Sequence, residues 1–389
     1  MPLSLADLAR VVGYSIGLTS YAAQFETEIR RLSAVRFCFL TGSGRSALYF
    51  ILKALSEIAG PAREEVVIPA YTCFTVPASV VKAGLKVRLV DIDPQNLDYD
   101  YEMMARVDFS QVLAVIGANM FGILSNWPVL KRMTAQRGVF LIDDAAQSMG
   151  SELDGQPSGS LGDVGFFSLG RGKNLTTYSG GIIITDNQEI AKGIEKQTDR
   201  LRQGSGVADL VRLLMYSLFL RPRWYWFPDR LSFLGLGETV YDAGFELKGL
   251  SDFQRAAGFV LLRKLQEYNQ QRTRHSLKLA EKLSVVGTYD IPGYGQGRQV
   301  VYLRLPVLAK DKSARDRAIR ALAKRGVKAT AMYPSTIAGI AGIQEHLASG
   351  ESDFPGSEAV SSRLFTLPTH GLLRERDLET IIECLGKEV

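Results

Sequence analysis

The chain has 389 residues, of which 46% are hydrophobic and 22% charged, and its formal net charge is +5. That length supports a large domain with a smaller companion, and the mild positive charge suits anionic metabolites. No Lys/Arg block interleaved with aromatics argues for nucleic acid, and three scattered cysteines (Cys38, Cys73, Cys384) argue against a disulfide framework and for a reducing, cytoplasmic compartment.

At the N-terminus, Met1-Pro2-Leu3-Ser4 carries no basic segment or long apolar core, so no signal peptide is predicted. No stretch of the chain is long and apolar enough to span a bilayer. From about residue 36 to residue 186, short β-rich runs alternate with helical ones. Strands are predicted over 36–40, 66–69, 87–91, 112–117, 139–143, 164–168 and 181–185. Several are nearly continuous apolar runs, as expected where both faces of a sheet are covered. Helices are predicted between them, for example over 46–56, 76–83 and 127–137. The alternation predicts an α/β fold with a mostly parallel sheet flanked by helices and ligands at the carboxyl ends of its strands.

Three segments of this region carry chemistry. Thr41-Gly42-Ser43-Gly44-Arg45-Ser46 links a strand to a helix, where glycines admit a close ligand and free helix N–H groups favour an anion. It is not a Walker loop, because the Gly-Lys-Ser/Thr ending is missing. Asp143-Asp144-Ala145-Ala146-Gln147 ends a buried strand. Its acids either cap the following helix, or Asp144 faces a cationic ligand group and keeps a heterocyclic nitrogen protonated. The third segment, Ser168-Leu169-Gly170-Arg171-Gly172-Lys173, lies between two apolar strands. A lysine there is expected to be partly desolvated, and a neutral amine attacks carbonyl groups. His275, His346 and His370 show no metal-ligand spacing, so no metal site is expected.

Residues 207–230, within a basic aromatic insertion over about 205–245, alternate Arg212, Arg221, Arg223 and Arg230 with Leu, Phe, Tyr and Trp. This pattern fits an amphipathic segment on an anionic membrane, at the inner face of the cytoplasmic boundary, with Trp224 and Trp226 at the headgroups. Such a pattern is more often a face packed on a partner subunit or a lid over the site. A long helical pattern runs over 251–283. The last hundred residues predict a smaller α/β unit with a strand near 300–303, a helix over 313–325 ended by Gly326, and a last helix over 375–385. The expected domains are residues 1–250, holding the large sheet, and 251–389.

A phosphate cradle, a carboxylate for a ring nitrogen and a lysine amine are the partners that pyridoxal 5'-phosphate requires. The combination Gly44-Arg45-Ser46-Ala47-Leu48, Pro69-Ala70-Tyr71-Thr72, Val90-Asp91-Ile92-Asp93, Asp144-Ala145-Ala146-Gln147, Ser168 with Lys173, Gly180-Gly181 and Leu367-Pro368 resembles the DegT/DnrJ/StrS type of fold-type-I pyridoxal-phosphate enzymes. The resemblance runs from about Gly17 to the C-terminus, apart from the basic aromatic stretch. It implies the fold-type-I large domain and aminotransferase activity, with Lys173 carrying the cofactor as a Schiff base and then shuttling protons.

The same resemblance implies that Asp144 pairs with the pyridine nitrogen and that Gln147 contacts the ring hydroxyl. Ser168 and the amides of Arg45 and Ser46 beside Gly44 would hold the phosphate. Cys73 stands where an aromatic ring commonly stacks on the cofactor, and Tyr71 and Tyr333 are expected on the substrate side. A homodimer with shared sites is implied, taking an amino group from a donor such as glutamate or glutamine to a keto sugar, by default nucleotide-linked.

The chain departs from the family at Gly170, where histidine is usual, and shows no partner-directed asparagine in Phe245-Glu246-Leu247-Lys248-Gly249. A lipid-linked or other non-sugar acceptor is the alternative that the basic aromatic stretch suggests. A non-catalytic, membrane-associated regulatory protein is the alternative of another class. Lys173, Asp144 and Gln147 together weigh against the latter, and Lys173 against the branch that uses histidine to dehydrate sugars.

Overall fold

A computed structural model describes residues 4–16, 21–199, 201–202, 206–219, 240–294, 300–350 and 352–387. In chain order the strands are β1 (Phe37–Thr41), β2 (Glu65–Pro69), β3 (Lys86–Val90), β4 (Ile92–Asp93), β5 (Asp98–Tyr99), β6 (Val112–Ala118), β7 (Phe140–Asp144), β8 (Glu152–Leu153), β9 (Gln156–Pro157), β10 (Val164–Ser168), β11 (Gly181–Thr185), β12 (Arg304–Leu308) and β13 (Leu364–Pro368). The helices are α1 (Leu5–Ile16), α2 (Tyr21–Ser33), α3 (Gly44–Ala59), α4 (Thr75–Lys82), α5 (Tyr101–Ala105), α6 (Trp127–Thr134), α7 (Gln188–Thr198), α8 (Gly206–Phe219), α9 (Asp252–Leu262), α10 (Leu265–Val286), α11 (Lys312–Lys324), α12 (Pro355–Arg363) and α13 (Glu375–Gly386).

The central sheet has the order β1-β11-β10-β7-β6-β2-β3. The β10–β7, β7–β6, β6–β2 and β2–β3 pairs are parallel, and β11 pairs antiparallel with both β1 and β10. Every residue of β2 and β6 is buried. Apart from Glu65, which pairs with Arg88, their apolar, largely β-branched sequences are what a strand covered on both faces requires.

Strand periodicity divides the core. On β11, Ile183 joins the cluster that holds α3 and the centre of the sheet. Ile182 and Ile184 join a second cluster with Leu8 and Val11 of α1, Phe25 and Ile29 of α2, and Ala256 and Val260 of α9. The first cluster continues without a break into Leu305 and Val307 of β12 and Phe365 and Leu367 of β13, which pair antiparallel. Burial of these two faces is the main stabilising term of the fold.

Two expectations need correction. Residues 300–303 are not a strand: Leu303 N–H donates to Phe121 O (2.9 Å), Val301 N–H donates to Ser151 Oγ (3.2 Å), and β12 begins only at Arg304. Their apolar side chains are buried against a turn of the large sheet, and that burial leaves the same imprint as strand pairing. The helical pattern over 251–283 is two helices, broken at Arg263–Lys264. Apolar α9 packs on α1 and α2, and polar α10 turns away to pack on α13 and β12. The break is held by Lys264 Nζ on Asp7 Oδ2 at 2.7 Å.

The helix expected over 313–325 is α11, N-capped by Asp311, whose Oδ1 accepts from Ala314 N–H at 2.8 Å. Of the 207–230 stretch, α8 covers the first part, and residues 220–239 lie outside the described residues. Among the described residues, no helix is long and apolar enough to cross a membrane.

Candidate active site

β1, β2, β6, β7 and β10 run in one direction, so Thr41, Pro69, Ala118, Asp144 and Ser168 end at the same edge of the sheet. β11 starts at that edge with Gly181. The topology therefore gathers the segments that follow these strands, and every residue singled out from the sequence except Tyr333 lies on one of them.

After β1, Ser43 caps α3: its Oγ accepts from Ser46 N–H (3.1 Å) and lies 2.9 Å from Ser46 Oγ. The Ser46 amide, expected on a phosphate, is therefore engaged by the helix cap. Gly44 opens the helix against Ser168. An alanine methyl there would sit 3.0 Å from Ser168 Cβ and 3.2 Å from its Oγ. Ser168 Oγ also accepts from Gly170 N–H at 3.3 Å. The Arg45 side chain turns outward, its guanidinium 5.0 Å from the Phe245 ring centroid and 3.5 Å from Asp242. A helix N-terminus beside a serine hydroxyl, with only hydrogen at Gly44, is a cradle of the size and polarity a phosphate needs.

The two adjacent acids separate in role. Asp143 is fully buried and accepts from Asn119 Nδ2 (2.6 Å), Gly159 N–H (2.6 Å) and Leu161 N–H (3.0 Å). It ties the ends of β6 and β7 to the loop before β10. Burial nevertheless pushes its carboxyl up to about 7 against those three donors. Asp144 faces the other way in the pleat and accepts from Ala146 N–H at 3.0 Å. Burial raises it to about 6, with the Ala146 amide and the positive charge of Lys173 pulling in the opposite direction. A carboxylate so desolvated, with a lysine near enough to act on it, is matched to a cationic ring nitrogen.

Gln147 is buried with both ends of its amide engaged. Oε1 accepts from Phe121 N–H (3.2 Å), and Nε2 donates to Tyr333 Oη (3.1 Å). Phe121 makes this possible in a left-handed conformation, at φ 57° and ψ 10°. Tyr333, from beyond α11, is buried against Tyr71 and Phe74, with ring centroids at 5.7 and 5.9 Å. Cys73 is half-buried, its Sγ 3.0 Å from Thr75 Oγ1. The aromatic rings that flank Cys73 in sequence therefore both rest on Tyr333. The Tyr71 hydroxyl is buried with no partner at full hydrogen-bond geometry, the backbone of Tyr333 being the polar group beside it. Tyr71→Phe should leave the ligand-free protein as stable or up to ~1 kcal/mol more stable in thermal melts, since an orphaned buried hydroxyl costs about that much.

Lys173 is half-buried in the connection between β10 and β11. That loop closes through Leu169 N–H to Gly180 O (2.8 Å) and Thr177 N–H to Leu169 O (3.0 Å). Gln254 of α9 clamps it, its Nε2 donating to Ser179 O (3.0 Å) and Ser179 Oγ (2.9 Å). On the other side, Asn174 Nδ2 donates to Asn269 Oδ1 of α10 at 3.4 Å. Asn119, Phe121, Gln254 and Asn269 escaped sequence reasoning. Only Gln254 had a local signal, the Ser251-x-x-Gln254 capping box. Among the described residues, no group of three or more His, Cys, Asp or Glu side chains could hold a metal.

Comparison with known proteins finds relatives along most of the chain. The model of the DegT/DnrJ/EryC1/StrS aminotransferase family matches residues 13–386. GDP-perosamine synthase of Caulobacter vibrioides is 26% identical over 370 residues, 94% of this chain and 90% of that protein. A pleiotropic regulatory protein of Geobacillus stearothermophilus is 25% identical over 373 residues, 95% and 90% of the two chains. Among solved structures, Helicobacter pylori PseC, described as an aminotransferase of pseudoaminic acid biosynthesis, superposes with a TM-score of 0.81. It is 15% identical and covers 99% of this chain and 96% of its own.

Proposed function

We propose, for a chain that belongs to the DegT/DnrJ/EryC1/StrS aminotransferase family and is a pyridoxal-phosphate-dependent aminotransferase, that its acceptor is a keto sugar carried on a nucleotide. The amino donor is glutamate or glutamine. The observation that carries the assignment of the site is one sheet edge that brings together buried Asp144, the loop that holds Lys173, and Ser168 packed against Gly44 at the start of α3. The acceptor class is supported by relatives named GDP-perosamine synthase and UDP-N-acetyl-3-dehydro-alpha-D-glucosamine 3-aminotransferase.

When bound, pyridoxal phosphate supplies an electron sink for the carbon that loses its proton. Lys173 Nζ would hold the cofactor and would take the proton from the donor's α-carbon. Asp144 would pair its carboxylate with the ring nitrogen and favour the protonated form of that nitrogen. Gln147, fixed by Phe121 and Tyr333, would have its second Nε2 hydrogen left for the ring hydroxyl, and Ser168 with the start of α3 would hold the phosphate. Tyr71 and Tyr333 pack on each other beside Gln147, where they would border the substrate.

Gly44→Ala should raise the cofactor dissociation constant about tenfold or more in a fluorescence titration. Overpacking of this kind costs roughly 1–3 kcal/mol, while alanine is a better helix former than glycine, so the ligand-free fold survives.

The acceptor is tested by converting the protein to its amino form with glutamate and offering nucleotide-linked keto sugars. Amination of one of them, read by mass spectrometry, is expected. Amination of none while another carbonyl compound reacts would overturn the acceptor. The protein works as a homodimer, which light scattering on the purified protein checks; a monomer that retains activity would refute it.

One observation favours a second reading, peripheral membrane contact and a lipid-linked acceptor. α8 exposes Val211, Leu214 and Met215 along one face, at 53%, 41% and 47%, next to Arg212. Such a stripe suits an anionic bilayer surface. Flotation with phosphatidylglycerol vesicles, lost on replacing the three apolar residues with serine, is the expected result; protein that stays at the bottom of the gradient refutes it.

A further inference from the structure

The hydrogen-bonded amides beside Lys173 form a directed chain. Asn269 Nδ2 donates to Met149 O (2.9 Å), Asn269 Oδ1 accepts from Asn174 Nδ2 (3.4 Å), and Asn174 Oδ1 is buried with no partner. Asn174 is 1% exposed and Asn269 7% exposed. An uncharged amide pair so deeply buried is costly unless it does something that an apolar pair cannot.

Its connections indicate what that is. Asn174 adjoins Lys173. Met149 lies two residues beyond Gln147, and Gly150 follows it at φ 93°, where any Cβ would collide with Asn269 Nδ2. Asn269 sits on α10 one turn before Arg272, whose Nη1 donates to Leu303 O (2.7 Å) and Thr369 Oγ1 (3.2 Å). Leu303 N–H in turn donates to Phe121 O, and Phe121 N–H to Gln147 Oε1. One face of one helix therefore bonds to the Lys173 loop, to the Gln147 loop and to the segments that flank β12 and β13.

We propose that the Asn174–Asn269 amide pair is a positioning device for Lys173, which holds the amine in register with Gln147 and couples that register to the setting of α10. The proposal rests on the assignment of Lys173 as the residue that carries the cofactor. Removing either amide leaves the site able to bind a cofactor but leaves the lysine badly aimed.

The test uses the full chain and two probes. Pyridoxal phosphate must bond to Lys173, whereas pyridoxamine phosphate binds to the same groups without that bond. Asn174→Ala, Asn269→Ala and the double variant are compared by the rate of borohydride-trapped attachment at Lys173, read by peptide mass, and by pyridoxamine phosphate affinity. Each single variant is expected to slow attachment about tenfold and the double variant no further, since residues that act as one unit are not additive. Pyridoxamine phosphate affinity is expected to stay within about twofold.

Attachment at wild-type rate, or single effects that multiply in the double variant, would overturn the proposal. So would an equal loss of pyridoxamine phosphate binding, the mark of a merely structural role. Should Asn269→Ala fail to fold, Asn174→Ala with the two probes still decides. A wild-type protein that never attaches the cofactor at Lys173 would defeat the underlying assignment, and variants matching a competent wild type would defeat this inference alone.

Discussion

Lys173→Ala is expected to lower transamination by about ten-thousand-fold, because it removes at once the group that holds the cofactor and the group that moves the proton. A positioned acid–base group alone is worth about 10²–10⁴-fold, and loss of the covalent step adds to it. The fold should be unaffected. The bonds that close the loop run through the backbone of Leu169, Thr177 and Gly180 and through the Gln254 amide, and none uses the Lys173 side chain. Steady-state kinetics with a coupled glutamate assay gives the first number, and a thermal melt gives the second. Residual activity within tenfold of wild type would place the chemistry elsewhere.

The second large effect separates two neighbours. Asp143→Ala should destabilise the protein by roughly 3 kcal/mol or more, since it strands the Asn119 amide and two buried backbone N–H groups. Asp144→Asn should do the opposite to the ligand-free protein and still reduce activity by about 10²–10³-fold, as expected when one preorganised electrostatic partner is removed.

The sign of its pH dependence follows from linkage. Folded Asp144 keeps its proton up to about 6, and the unfolded chain loses it near ~3.9. Between those values the folded state holds the extra proton, so ionisation of Asp144 withdraws stability as the pH rises. The withdrawal is on the order of 1.4 kcal/mol per pH unit at most. Asparagine has nothing to ionise. The melting-temperature advantage of Asp144→Asn over wild type should therefore grow from pH 4 to pH 7 without cofactor. With cofactor it should vanish, because a ring cation holds the wild-type carboxylate ionised. A difference independent of pH would show that Asp144 does not carry the burial penalty.

Much of this arrangement is legible in the sequence. The uninterrupted apolar runs of β2, β6 and β11 announce a sheet covered on both faces, and the alternation with helices announces its parallel sense. From there the carboxyl-edge rule gathers Gly44, Asp144 and Lys173, and the family resemblance adds Tyr71 and Ser168. What sequence periodicity does not carry is the partner of a buried polar group. Asp143 and Asp144 look alike as letters, and only the pleat and the three donors around Asp143 give them different tasks. Phe121 in the left-handed region has no local signature, because a bulky apolar residue adopts that conformation only under tertiary constraint. Residues 300–303 misled for the converse reason, since apolarity reports burial and not which backbone supplies the hydrogen bonds. Tyr333 reaches the site from the segment after α11, and its contact with Gln147 spans 186 residues.

The chemistry of the site depends on which lysine the cofactor occupies. Protein incubated with pyridoxal phosphate, reduced with borohydride and digested should carry the cofactor's mass on the peptide that contains Lys173 and on no other lysine peptide. Glutamate added before reduction should remove it. A label on another lysine, or no label on a protein that binds the cofactor, would contradict the account.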